Sequence, residues 1–121
     1  MALKKRVALE LGQGTSLRSG DYTRAAERAV KDALWHNSLN MAQAFGAPKE
    51  AMIVDVEIAV QQPDAVDCDA VAKIFPYGNV TVSARHGGLD VPKPDGSGST
   101  LVALAAVVVS FMVEEIGRAH V

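Results

Sequence analysis

Cysteine is nearly absent. Cys68 stands alone, which excludes an intrachain disulfide and suits a reducing compartment. Aromatic residues make up only 5% of the chain. A core must therefore be built from Val, Ala, Leu and Ile. Side chains that small demand close approach of helix and sheet, or burial against other subunits. A surplus of positive charge is missing too. The formal net charge is −2, which argues against a general nucleic-acid binder. The densest basic run, Lys4-Lys5-Arg6, reads as a solvated strand entry. Long apolar runs are also lacking. The longest, Leu101 to Phe111, contains Ser110 and falls short of the ~20 residues that a membrane-spanning helix needs. Near the N-terminus Glu10 and Gly12 cut the apolar pattern before it resembles a signal peptide. The cytoplasm is the expected location, with no membrane and no nucleic acid as partners. No His-x-x-x-His or Cys-x-x-Cys spacing occurs, so neither a metal nor a cofactor is expected. There is no internal repeat.

What is present suffices for one domain. The chain has 121 residues, 49% of them hydrophobic, and residues 1–121 read as a single α+β unit. Arg6 to Leu11 alternates as a half-buried strand, with Val7, Leu9 and Leu11 on one side and Ala8 and Glu10 on the other. Gly12 and Gly14 then read as a glycine turn. Asp21 is the expected N-cap of the helix that follows, with Ser19 and Thr23 as competing choices. Tyr22 to His36 carries an apolar stripe of Ala26, Ala29, Val30, Ala33 and Leu34 at helical spacing. A bent or second short helix is expected over Leu39 to Phe45, stopped by Gly46 and Pro48.

Met52 to Val60 is the clearest strand: Met52, Val54, Val56, Ile58 and Val60 face one way. Asp67 or Asp69 caps a short helix that ends before Pro76. Asn79 to Arg85 alternates again, with Val80, Val82 and Ala84 inward. Gly87 to Thr100 is rich in Gly, Pro, Ser and Asp and reads as a long loop. Leu101 to Val113 is apolar on both faces, as a central strand covered on both sides would be, and the tail from Glu114 reads as a frayed end. The order β-α-β-α-β-β predicts a four-stranded sheet with two helices on one face. The other face carries Glu10, Asp55, Glu57, Thr81, Ser83 and Arg85. Because the last strand has no polar face, part of this surface needs a cover. A homo-oligomer follows, with a cyclic trimer whose sheets face inward as the favoured form.

The chemistry is expected at the strand–turn–helix junction from Gly12 to Arg24. In the first helical turn a cation is unfavourable, because that end already carries partial positive charge. Arg24 makes physical sense there if an anion or polarised carbonyl binds beside it; an exposed arginine paired with Asp21 or Glu27 is the alternative. Gly12-x-Gly14 lacks the third glycine of a dinucleotide fingerprint and the Gly-Lys of a P-loop, so a tight turn explains it as well as a phosphate cradle does. Ser16 and Arg18 lie in the same stretch and can offer polar contacts, or can be plain loop residues. His86-Gly87-Gly88 ends a strand. His86 can serve as a general base, and Gly87 and Gly88 can present backbone amides to a ligand; a hairpin turn with an exposed histidine is the competing reading. Cys68, between Asp67 and Asp69, reads as non-catalytic.

Four segments resemble a known family. They are Glu10-Leu11-Gly12-Gln13-Gly14, Tyr22-Thr23-Arg24-Ala25-Ala26 with Arg28-Ala29-Val30, Phe75-Pro76-Tyr77-Gly78, and Gly87-Gly88-Leu89. In this order they resemble the "Lin" conserved-hypothetical family, named for a Listeria locus. The family's turn reads Gly-x-Gly-x-Asp-x-His-Gly; here Ser16, Arg18 and Ser19 stand at its last three specified positions. More distantly, Gly20-Asp21-Tyr22-Thr23-Arg24 is similar to one repeat unit of the ring-opening amidases, cyanuric acid hydrolase and barbiturase. That resemblance implies substrate contact by Arg24, backbone contacts from Gly87 and Gly88, and a homotrimer that mimics their three-unit ring. Leu9 and His86 occupy the places of their catalytic lysine and serine.

Three functions therefore stand as expectations. The first is binding of a small polar or anionic molecule at subunit interfaces, with hydrolysis of an amide or cyclic imide C–N bond as the reaction if the protein is an enzyme. In that case His86 and Ser16 are the catalytic candidates, and Gly12, Gly14, Arg18, Arg24, Gly87 and Gly88 hold the ligand. The second is a non-catalytic sensor or accessory subunit. The third is a purely structural oligomer.

Overall fold

The computed structural model describes residues 2–36 and 49–114. Five strands, β1 (Ala2–Ser16), β2 (Ile53–Val60), β3 (Asn79–His86), β4 (Leu89–Pro92) and β5 (Ser99–Glu114), are joined with two helices, α1 (Tyr22–His36) and α2 (Cys68–Ala72). The helix expected over Leu39 to Phe45, its Gly46–Pro48 stop and the tail beyond Glu114 lie outside the described residues.

β5 is the centre of the sheet, whose order is β1-β5-β2-β3. It pairs antiparallel with β1 on one side and with β2 on the other, and β3 runs parallel to β2. The sheet has five strands where four are expected. The difference lies in the stretch Gly87 to Thr100, which is not a free loop. Leu89–Pro92 forms β4 and pairs with Ser99–Val102 of β5, beyond the end of β2. The Gly/Pro/Asp-rich remainder closes the hairpin, with the Lys93 amide donating to the Gly98 carbonyl at 2.8 Å. Gly96 and Gly98 take positive φ there. Turn residues masked a four-residue strand because Asp90 and Pro92 suppress its strand signal.

The helices share one face, as the pattern requires. Met52, Val54, Val56, Ile58 and Val60 are all buried beneath them, with Leu101, Ala103, Ala105, Val107 and Val109 of β5. A fully buried valine contributes ~1.5–3 kcal/mol relative to an exposed one. Ala25, Ala26, Ala29, Val30 and Ala33 supply the helix side.

β1 corrects two expectations. It runs straight through Gly12 and Gly14 to Ser16, so these glycines form no turn, and neither has a positive φ. α1 lies directly on them. A Cβ on Gly12 would stand 2.2 Å from the Ala29 carbonyl oxygen, and one on Gly14 2.2 Å from the Ala29 nitrogen. The glycines and the alanine stripe are two halves of one close contact, the packing that a core poor in large side chains demands. The second correction is the sidedness. Gly12 and Gly14 pair with Ala105 and Ala103 and face the helix, so Glu10 shares their side. Leu9 and Leu11 instead point to the open face, 48% and 65% exposed. A register shift between Arg6 and Ala8 interrupts the alternation. The left-handed turn residue is Gly20, with φ +83°.

The open face therefore mixes the leucines of β1 with Leu104, Ala106 and Val108 of β5. Four of its charged residues pair within the chain: Lys4 with Asp55 at 2.8 Å and Arg85 with Glu57 at 2.5 Å.

Candidate functional site

β1 and β2 both run antiparallel to β5, and β3 runs parallel to β2. The C-terminal ends of β1, β2 and β3 thus lie at one end of the sheet, with the loops that follow them. At that end an open groove of about 470 Å³ is lined by Ser16, Leu17, Arg18, Asp21, Thr23, Arg24, Glu27 and Arg28. It holds three guanidinium groups against two carboxylates.

Each lining residue is set by a local cause. Ser16 is buried; its hydroxyl donates to the Arg18 carbonyl at 3.3 Å and accepts from the Arg18 amide at 3.2 Å. This turns the chain out of β1 and sends the Arg18 side chain outward. The Asp21 amide closes the turn on the Arg18 carbonyl at 3.2 Å. Asp21 caps α1: its Oδ1 accepts from the Arg24 amide at 3.1 Å. That bond takes up one of the helix-end amides expected to meet a ligand. Arg28, one turn further, donates from Nη1 to the Thr15 carbonyl at 2.8 Å. Among the described residues, the side chains of Arg18 and Arg24 have no hydrogen bond or ion pair.

The groove loop is braced from outside. Lys93 Nζ donates to the Leu17 carbonyl at 2.6 Å, and the Ser99 amide donates to Ser19 Oγ at 3.3 Å. The Tyr22 hydroxyl donates to Asp90 Oδ2. Burial, and then this bond and the charge of Asp90, push the Tyr22 hydroxyl up to about 12, against a smaller opposing bond from Gln62. The other oxygen of Asp90 is buried without a hydrogen-bond partner among the described residues. Thr23 Oγ1 donates to the Ala65 carbonyl at 3.4 Å and accepts from the Asp67 amide at 2.8 Å, tying α1 to the turn before α2. In the run Asp21-Tyr22-Thr23-Arg24, the first three side chains are bonded within the fold, and the fourth lines the groove without such a bond among the described residues.

The predicted site residues divide. Ser16, Arg18 and Arg24 come together at the groove. Gly12 and Gly14 do not line it; they lie under α1, where the helix backbone fills the space a ligand would need. His86, Gly87 and Gly88 do not line it either. His86 is exposed at the end of β3, opposite Val60. The Gly87 amide already donates to the Val60 carbonyl at 2.8 Å, and Gln61 Nε2 donates to the Gly87 and Gly88 carbonyls at 3.1 and 3.0 Å. Gly88 is needed for its backbone: its φ is +62°, and a Cβ would stand 2.3 Å from the Val102 carbonyl oxygen. Arg28 is the groove residue that sequence reasoning missed. Its spacing of four from Arg24 was the available signal. Tyr22–Asp90 and Lys93 could not be foreseen, because both depend on the β4–β5 hairpin. Burial, with Asp69 and Asp67 nearby, pushes the Cys68 thiol up, as expected of an inert cysteine. Among the described residues no cluster of His, Cys, Asp and Glu is placed to hold a metal ion, and no helix is long and apolar enough to cross a membrane.

Fold and groove define a small α+β protein with one helical face, one open face and a cationic groove at the strand ends. The chain belongs to the conserved hypothetical protein family Lin0512_fam, whose model matches residues 6–109. A solved structure of an FtsZ-like protein of unknown function from Nostoc punctiforme PCC 73102 is similar throughout. It is 31% identical, with a TM-score of 0.81 over 92% of this chain and 98% of that one. Comparison with curated proteins finds no match.

Proposed function

We propose that the groove between the end of β1 and the first turns of α1 binds a small anionic or polar molecule, such as a carboxylate or a cyclic imide. One observation carries the reading: Arg18 and Arg24 extend unpartnered into one groove, beside a third arginine held by Thr15. Free guanidinium groups in a fixed fork suit planar oxyanions. The groove also lies at the end of the sheet where the carboxyl ends of β1, β2 and β3 emerge.

Binding without turnover is the favoured form of this function. The Ser16 hydroxyl is engaged by the Arg18 backbone, and His86 stands off the groove. Among the described residues no nucleophile and base are assembled there. Hydrolysis of a C–N bond would require His86, Gly87 and Gly88 to arrive from a neighbouring copy. We therefore place the site in a homo-oligomer packed through the open sheet face. Leu11, Leu104, Ala106 and Val108 give this face an apolar patch, and the Lys4–Asp55 and Glu57–Arg85 pairs lie beside it with their charges already matched. Three copies is the favoured number, on the likeness to the three-unit ring of the ring-opening amidases. A lone cysteine fits the cytoplasm as the location.

The test is a thermal-shift screen of the wild type and Arg24→Ala against small carboxylates, cyclic imides and ureas. A ligand at a hundred-fold excess over Kd adds ~2.7 kcal/mol, a shift of several degrees for a domain of this size. The shift should disappear in Arg24→Ala. An undiminished shift in the variant would remove the groove assignment.

A further inference from the structure

α1 carries two carboxylates, and the fold uses one of them. Asp32 Oδ2 accepts from the Gln13 amide at 2.9 Å. Glu27, between Arg24 and Arg28, lines the groove. It is half-buried, yet among the described residues it has no hydrogen bond or ion pair. Two cations are within helical reach of it. Arg24 lies three residues before and Lys31 four residues after, spacings that put Cβ atoms ~5–6 Å apart. Neither pairs with Glu27. The side-chain pairing of Arg24 with Asp21 or Glu27, which the sequence allows, is thus not made. A carboxylate half out of water without a partner is unfavourable, and a cation entering the groove would satisfy it.

The groove therefore holds charges of both signs that are not spent on each other. Arg18 and Arg24 offer free guanidinium groups and Glu27 a free carboxylate. Asp21 is engaged as the helix cap through the Arg24 amide. This lining does not suit a polyanion. A phosphate or a dicarboxylate would gain the guanidinium groups but would be set against two carboxylates. A simple carboxylate would leave Glu27 unpaired. A molecule with one charge of each sign satisfies both halves of the groove. Leu17, 69% exposed, also lines it and offers apolar surface to the rest of such a molecule.

We propose that the groove takes a free amino acid, its carboxylate on Arg18 and Arg24 and its ammonium group on Glu27. This rests on the groove reading above and adds the second charge of the ligand. Charge-assisted hydrogen bonds at both ends would fix the direction in which it binds. Glu27 is then the selective element, because des-amino and N-acyl acids keep the carboxylate and lose the cation.

The test is isothermal titration of the intact protein at neutral pH with the free amino acids. Each one that binds is compared with its des-amino and N-acetyl counterparts. The free amino acid should bind at least about ten-fold more tightly than either, the usual worth of a hydrogen bond between charged groups. Glu27→Gln keeps the shape of the side chain and removes its charge. It should erase that preference while the des-amino acid binds as well as before, a pattern that a merely structural role would not give. Arg24→Ala should weaken all three. Equal affinities in the wild type, or a preference that survives Glu27→Gln, overturn the inference. So does a protein that binds no amino acid but binds a carboxylate or cyclic imide through Arg24; the groove reading then stands without it. If neither amino acids nor those ligands bind, the groove reading itself falls and this inference with it.

Discussion

Gly14 shows how much one hydrogen atom can carry. Its α-hydrogen faces the α1 backbone, and a methyl group would have to displace Ala25 and Ala29 backbone atoms rather than a flexible side-chain end. Gly14→Ala should lose at least ~1–3 kcal/mol by overpacking, seen as a lower urea midpoint at unchanged slope. Tyr22 works through its hydroxyl. Tyr22→Phe leaves both oxygens of the Asp90 carboxylate without a tyrosine donor and should lose ~1–3 kcal/mol. The same bond carries a pH signature. The folded-state hydroxyl titrates at about 12 against 10.0 for an ordinary tyrosine. Between those values the folded chain holds the proton more tightly than the unfolded one. Stability is therefore fully present below pH 10 and falls as pH rises towards 12. Chemical denaturation across that window should show the decline in wild type and a shallower one in Tyr22→Phe.

Among the elements, α1 combines three tasks on three faces. Its alanines take the sheet, Arg28 and Asp32 cap the β1 edge, and Arg24 lines the groove. Its start is held by Asp21, whose side chain accepts from Arg24. Asp21→Ala should cost about 1 kcal/mol of stability through the lost cap, measured by thermal unfolding, and should leave the fold otherwise intact. The β4–β5 hairpin is the other element that shapes the groove, since Lys93, Ser99 and Asp90 fix the loop from Leu17 to Tyr22. The stretch that reads as a long loop is a brace.

For the whole molecule the unsatisfied surface is the open sheet face. Its apolar centre has no cover within the described residues, while the facing charges are already matched inside the chain. Leu104 is 47% exposed on a central strand, so a charge there should leave the monomer folded. On the proposed face packing, Leu104→Glu is expected to give a monomer in analytical ultracentrifugation with its circular dichroism unchanged. A variant that keeps the wild-type mass would place the interface elsewhere.

Much of this was legible in order along the chain. Periodicity alone located α1, β2, β3 and β5 and the face that β2 buries, because a strand or helix with one wet side writes its period into the sequence. The caps were equally local, each a carboxylate beside the first free amides of a helix: Asp21 for α1, and, of the two candidates Asp67 and Asp69, Asp67 for α2, where it accepts from the Ala70 amide. Arg24 stood out because a cation at a helix start needs a reason. Tertiary structure decided the rest. Which side of β1 is covered depends on the helix choosing the glycines over the leucines, a matter of distance between two backbones rather than of hydrophobicity. Whether Gly12 and Gly14 bind a ligand or admit a helix is invisible to composition, since both roles ask for the same missing Cβ. The separation of His86 from Arg18, Arg24 and Arg28 arises from β5 lying between β1 and β2, a pairing that no local pattern encodes.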